Sequence, residues 1–326
     1  MKTILVTGGA GYVGSELIPK LSKIYSKVKV LDTFWFSDES IFSELENVEP
    51  IKADIRDLEA VKLALTGVDH VIHLACISND PSYDLNPELA KTINYDCFEP
   101  IIKSCVEQGI SRFIYASSSS VYGVKDEDEV TEDLEPFPLT DYSKYKLQCE
   151  EILHRYASDT FTAVTLRPAT VCGVSKRQRL DVIVNILTTN AFINDEIKVF
   201  GGDQKRPNIH ITDMCEAYIE LLKAPKEIIN NKIYNIGAKN HTVKELSHLV
   251  SELLNVSNIK ITKTDDNRSY KICSKKIFDE IGFRTKHTIE EAIAELHSHL
   301  KMNILENPIS NPNYYNVKLL KERNIL

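Results

Sequence analysis

The sequence predicts an α/β fold, a doubly wound parallel sheet with a smaller C-terminal portion, and three observations support that prediction. A short apolar run, Ile4-Leu5-Val6, leads straight into a glycine-rich turn, TGGAGYVG, and then into residues of helical character. A second apolar run ends in an acid, Asp32, about twenty residues beyond the last of those glycines. Strand-like and helix-like stretches then alternate through roughly the first half of the chain, as in βαβ units with right-handed crossovers and helices on both faces.

The glycine turn has a physical purpose. Gly8 allows a tight turn, Gly11 lets the backbone approach a pyrophosphate, and Gly14 lets the helix pack closely on the strand. The free N–H groups at the start of that helix offer an anion site. Glycines also mark ordinary strand–helix turns, so the turn alone decides little. Asp32 stands where a carboxylate meets adenosine ribose hydroxyls, and strand, glycines, helix, strand and acid together predict a dinucleotide site of the Rossmann type.

The remaining elements follow in order. Residues 48–55 read as a third strand, 58–65 as a helix and 70–75 as a fourth strand. Residues 87–108 read as one long helical stretch stopped by Gly109. Residues 112–116 form the fifth strand, and a helix capped by Thr140 or Asp141 runs to about Tyr156. Residues 161–170 supply the sixth. From Gly173 the pattern loosens, with helices over 180–190, 242–254 and 289–299 and short strands at 198–200 and 259–262. We therefore divide the chain into a dinucleotide-binding domain over 1–172, a mainly substrate-binding portion over 173–303 and a tail over 304–326. Residues 233–236 return a strand to the main sheet, and the tail shows no clear pattern.

Composition excludes several classes. In 326 residues, 43% hydrophobic and 26% charged content are ordinary for a soluble enzyme. A net charge of −8 argues against a nucleic-acid or anionic-membrane surface. No apolar run is long enough to span a bilayer, and the chain enters a strand at once, so neither a membrane segment nor a signal peptide is expected. The seven scattered cysteines lack metal-ligand spacing; reduced thiols, a cytoplasmic location and no metal are the expectation.

A second constellation lies further along. Tyr142 and Lys146 stand four apart on a predicted helix, so they share a face. A nearby ammonium stabilises phenolate and lowers a tyrosine pKa from its reference of about 10, which makes a general base. Tyr-x-x-x-Lys is common on solvated helices, and the serines from Ser117 to Ser120 change its meaning. They end the fifth strand, where ligands bind in such sheets, and a serine hydroxyl there reaches both a substrate hydroxyl and the tyrosine oxygen.

TGGAGYVG, Asp32, the 53–57 stretch ADIRD, His73-Leu74-Ala75, SSSSVYG and Tyr142-x-x-x-Lys146 stand in an order that resembles the extended short-chain dehydrogenase/reductases, specifically the NAD-dependent epimerase/dehydratase family acting on nucleotide sugars. The similarity extends through Arg167-Pro168, the 206–213 stretch and the 266–270 stretch DNRSY. The resemblance implies Tyr142 as catalytic base, Lys146 as the group that lowers its pKa and holds the nicotinamide ribose, and Ser118 as the family serine. It implies cofactor contacts from Gly8, Gly11, Tyr12, Val13, Asp32, Asp54, Ile55, Leu74 and Ala75, with Asn94 giving a cofactor or structural-water contact. Arg206 and Arg268 would clasp the substrate diphosphate, as guanidinium forks suit, and Ser78, Asn79 and Thr170 would line the sugar pocket. Asp32 favours NAD over NADP, because a carboxylate repels a 2′-phosphate.

The family's dehydratases carry an Asp-Glu pair after the catalytic Ser or Thr; here Ser119 and Ser120 stand there, which argues against dehydration. The 3,5-epimerase-reductases carry a cysteine where Ser120 stands. A 4-epimerase is the leading expectation. A C4 dehydrogenase or reductase that releases the 4-keto sugar is the alternative, and a non-catalytic NAD sensor the outlier. Family members often dimerise through two long helices, here 87–108 and 140–156, so a homodimer is expected.

Overall fold

The computed structural model describes residues 2–264 and 268–325. Its main sheet has seven parallel strands, β1 (Thr3–Thr7), β2 (Lys27–Asp32), β3 (Val48–Lys52), β4 (His70–His73), β5 (Arg112–Ala116), β6 (Thr162–Pro168) and β10 (Lys232–Ile236), in the order β10-β6-β5-β4-β1-β2-β3. The order reverses between β1 and β4, where Thr7 lies opposite His73, so a crevice opens beyond the carboxyl ends of these two strands. This is a doubly wound Rossmann-type fold.

Alternation within each strand explains why both faces are covered. Ile4 and Val6 point into one apolar cluster and Leu5 into the other; Val28 and Val30 oppose Leu31 in the same way. The first cluster lies under α1 (Gly14–Leu21) and α8 (Ile211–Lys223). The second lies under α2 (Leu58–Leu65), α5 (Phe98–Glu107) and α6 (Asp141–Arg155). Between β4 and α5 come the short α3 (Asp80–Tyr83) and α4 (Pro87–Lys91).

The remaining elements build the smaller portion. A three-stranded sheet joins β7 (Thr170–Cys172), β9 (Lys205–His210) and β11 (Asn240–Thr242), and β8 (Ile197–Phe200) pairs with β12 (Ile259–Thr262). Helices α7 (Ile183–Asn194), α10 (Val243–Leu254) and α12 (Ile289–Lys301) enclose a third apolar cluster. The short α9 (Lys226–Ile229) and α11 (Lys275–Ile281) flank β10 and its approach. Helix α8 packs on the main sheet, so residues 173–303 do not all stand apart from the first domain.

Four expectations are corrected. The helix expected over 87–108 is broken: Thr92–Asp96 forms a π-helical turn between α4 and α5. The third strand stops at Lys52, and Asp57 caps α2 by accepting from the Ala60 N–H at 3.1 Å. The sixth strand stops at Pro168; the Ala169 N–H turns to the Ile236 carbonyl at 2.7 Å, and β7 continues in a different sheet. The patternless tail contains a 3-10 turn (Pro312–Tyr314) and helix α13 (Asn316–Glu322), with Leu319 and Leu320 buried. A helix of seven residues is too short to hold on its own, and docking supplies the stability.

Candidate active site

One cleft of about 360 Å³ opens at the reversal between β1 and β4. Gly8, at φ +69, sits so close to the chain leaving β4 that a Cβ would lie 2.5 Å from the Ala75 nitrogen. That contact is the close approach a glycine permits. Asp32 ends β2 and accepts from the Ala10 N–H at 3.0 Å and the Phe34 N–H at 2.8 Å, which pins the glycine turn to the β2 loop. Burial raises the Asp32 pKa, and these N–H bonds act against it. Ala53, Asp54 and Ile55 form the next stretch of wall. Asp54 pairs with Arg56 at 2.6 Å, which holds its carboxyl below the usual range although burial opposes that.

Across the cleft, Thr140 caps α6 by accepting from the Ser143 N–H at 3.3 Å, and this sets the helix so that Tyr142 and Lys146 face β5. The serine run divides its work. Ser117 donates to the buried Glu150, Ser118 Oγ lies 2.8 Å from Ser120 Oγ, and Ser119 Oγ lies 3.3 Å from the Tyr270 hydroxyl. Ser143 donates to Ser120 at 2.9 Å, tying α6 to this turn.

Burial pushes the Tyr142 phenol well above its ordinary pKa, and Cys76 and Asp80 add to that; Arg179 and a hydrogen bond with Ser118 pull it down. The Lys146 ammonium donates to the Ala116 carbonyl at 2.7 Å and lies 5.8 Å from the Tyr142 ring centroid.

Gly8, Gly11, Tyr12, Val13, Asp32, Asp54, Ile55, Leu74, Ala75, Ser78, Asn79, Ser118, Tyr142, Lys146, Thr170, Arg206 and Arg268 all line this cleft. Asn94 does not. Both atoms of its side-chain amide are spent on the Ile77 backbone, accepting at 2.7 Å and donating at 3.0 Å, from within the π turn. Ile93 lines the wall instead. Arg206 donates to the Arg268 carbonyl, and Arg268 pairs with Asp80, so the two arginines form one linked group. Asp266 and Asn267 of the DNRSY stretch lie outside the described residues.

Sequence reasoning missed Arg177, Arg179, Asp80 and Asn316, which also line the cleft. The basic cluster Lys176-Arg177-Gln178-Arg179 following a strand end was a usable signal. Asn316 had none, because only the fold of the tail brings it there. Of the aromatic run Phe34-Trp35-Phe36, Phe34 is buried while Trp35 and Phe36 line the cleft.

The glycine cradle, the acid at the end of β2 and the serine–tyrosine–lysine set fit a dinucleotide and define an extended short-chain dehydrogenase/reductase. The NAD dependent epimerase/dehydratase family model matches residues 4–237. The chain belongs to that family and is an NAD-dependent enzyme.

It is 33% identical over 258 residues to the y4nG protein of Sinorhizobium fredii, across 77% of this chain and 60% of that one; the chain thus spans only about 60% of that relative's length. It is 31% identical over 265 residues to the uncharacterized UDP-glucose epimerase YtcB of Bacillus subtilis, covering 77% of this chain and 81% of that one. The UDP-glucuronic acid 4-epimerase of Bacillus cereus, solved with UDP-glucuronic acid and NAD, is 26% identical with a TM-score of 0.82, covering 92% of this chain and 99% of that one. No helix among the described residues is long and apolar enough to cross a membrane.

Proposed function

We propose that this protein is a nucleotide-sugar 4-epimerase that works through a transient 4-keto sugar. The observation that carries the reading is that Tyr142 and Ser118 share one cleft with the glycine turn and with the Arg206–Arg268 group. Tyr142, as phenolate, takes the proton from the sugar C4 hydroxyl, and Ser118 hydrogen-bonds the same oxygen. A bound NAD would supply the hydride acceptor for C4 and the donor for the return step. Arg206 and Arg268 hold the diphosphate while the keto sugar turns over. Lys146 holds the nicotinamide ribose.

Two features support this choice within the family. Ser119 and Ser120 are engaged with Tyr270 and Ser143 and offer no acid–base pair for removing water. The names of YtcB and the Bacillus cereus enzyme suggest a UDP-sugar as substrate class.

The test is incubation with UDP-hexoses and UDP-uronic acids, followed by NMR of the C4 configuration and absorbance of NADH. Inversion at C4 without net NADH supports the epimerase. Stoichiometric NADH with a released keto sugar would replace it with the C4 dehydrogenase, and tight NAD binding without turnover of any sugar would leave the sensor.

The same reading pairs two copies through α5 and α6, which turn Lys103, Glu107, Lys144 and Glu151 outward. A monomer in sedimentation at micromolar concentration would remove the dimer. The cysteines, all unpaired, suit a reducing cytoplasm.

A further inference from the structure

The wall of the cleft over the glycine turn comes from the segment after β7. It is tied to α1: the Arg177 N–H donates to Ser15 Oγ at 3.1 Å, and Ser175 Oγ donates to the Tyr12 carbonyl at 2.7 Å. Arg177 is 5% exposed, and its guanidinium lies 4.3 Å from the centre of the Phe36 ring. One arm, Nη2, donates to Asn316 Oδ1 at 2.5 Å. The buried Nε has no hydrogen-bond partner among the described residues.

The nearby carboxylates are occupied. Asp32 accepts from Ala10 and Phe34, and Asp181 accepts from Arg179 Nε at 2.8 Å and from the Asn316 N–H at 2.8 Å. Arg177 forms no ion pair among the described residues, so it is a buried cation with an unfilled donor on the wall of a dinucleotide cleft. Leaving such a group unsatisfied costs free energy, and the complement is an anion with several acceptor oxygens.

The tail holds this arrangement. Asn316 Nδ2 donates to Ser78 Oγ at 3.0 Å, the Leu180 N–H donates to the Tyr314 carbonyl at 2.9 Å, and Arg323 donates to the Trp35 carbonyl. These bonds join the loops after β2, β4 and β7, which rim the cleft, to one C-terminal segment. Tyr315, Leu319 and Leu320 anchor it by burial.

We propose that Arg177 is a second binding element for the diphosphate of the dinucleotide cofactor, facing the glycine turn, and that residues 312–323 are a strap whose Asn316 positions it. The glycine turn supplies backbone N–H groups from one side, and Arg177 supplies a charge and an N–H from the other. The assignment rests on NAD as cofactor and not on which sugar reaction follows.

Calorimetric titration of the full-length, nucleotide-free protein with NAD, ADP-ribose, adenosine and UDP tests it. Arg177→Met weakens NAD and ADP-ribose by about tenfold or more, the size of a lost charge-assisted bond, and leaves adenosine, which has no phosphate, within about twofold. Asn316→Ala weakens the same two ligands by a smaller factor. Three results would overturn the proposal: unchanged ADP-ribose affinity in Arg177→Met, an equal loss for adenosine in both variants, or a loss confined to UDP, which would move Arg177 to the substrate's diphosphate.

Discussion

Glu150 and Arg167 form an ion pair beneath the serine run, with Arg167 Nη2 2.7 Å from Glu150 Oε2, Glu150 1% exposed and Arg167 2% exposed. Arg167 Nε also donates to both carboxylate oxygens at 3.1 Å, Arg167 Nη1 reaches the Tyr122 hydroxyl at 2.8 Å, and Ser117 donates to Glu150. The pair therefore links β6, α6 and the end of β5.

Breaking one half of that pair strands a buried charge. Glu150→Gln is expected to cost about 3–5 kcal/mol of stability, and the double variant Glu150→Met with Arg167→Met less than that, because no charge is left unpaired. Urea midpoints of the three proteins measure it. A loss below about 1 kcal/mol in Glu150→Gln would show that the pair is solvated, contrary to its burial.

Tyr142→Phe removes the proposed base and keeps the ring. We expect kcat to fall by about 10²–10⁴, with NAD affinity changed by less than about threefold, since a general base acts on the chemical step. Because burial holds the Tyr142 phenol above its ordinary pKa, the reactive phenolate grows as pH rises. The rate of the native enzyme should climb across the neutral to mildly alkaline range. Full activity in Tyr142→Phe would end the proposed mechanism.

Two glycines of similar backbone angle separate strain from contact. Gly8 has φ +69, and a methyl group added there would meet the Ala75 nitrogen at 2.5 Å, whereas Gly67 has φ +71 and nothing within 4 Å of the same position. Gly67→Ala should cost about 1 kcal/mol, the conformational penalty alone. Gly8→Ala should cost more and also weaken NAD binding, because the turn must move away from the chain leaving β4. Equal stability losses, with NAD affinity intact, would contradict the close-approach role.

His70 and His73 put a pH dependence into the main sheet. Burial lowers their pKa values to about 4 and about 3, while the unfolded chain titrates near 6.5. Between pH 6.5 and 4 the unfolded state binds more protons, so stability is full above 6.5 and falls as the solution is acidified. The slope approaches about 1.4 kcal/mol per pH unit for each histidine. Urea midpoints from pH 7 to 4.5 measure it, and His73→Gln, which lacks the titrating group, should lie on a shallower curve.

Most of the main sheet was legible because most of its strands carry short apolar runs, and α2 and α6 begin at side-chain caps, Asp57 and Thr140. The bounds of α2, β5 and β12 were read from local sequence alone. Asn94 stands off the cleft because the π turn aims it at Ile77, and that turn depends on packing and leaves no periodic mark. Spacing placed Lys146 on the helix face it shares with Tyr142, but spacing sets the face and not the acceptor, which here is the Ala116 carbonyl.

By itself, the sequence determined the strand–glycine–helix cradle, the acid after β2 and the helix face shared by Tyr142 and Lys146. All three depend on residues within a few turns of one another, where backbone geometry dictates position. The tertiary structure alone decided that Arg177 joins Lys146, Arg206 and Arg268 in the cleft. Arg177 and Asn316, 139 residues apart, meet only because the tail docks on the loops around the site. Burial, which raises the Tyr142 phenol and leaves Arg177 with an unfilled donor, belongs to the packed molecule and to no local stretch of chain.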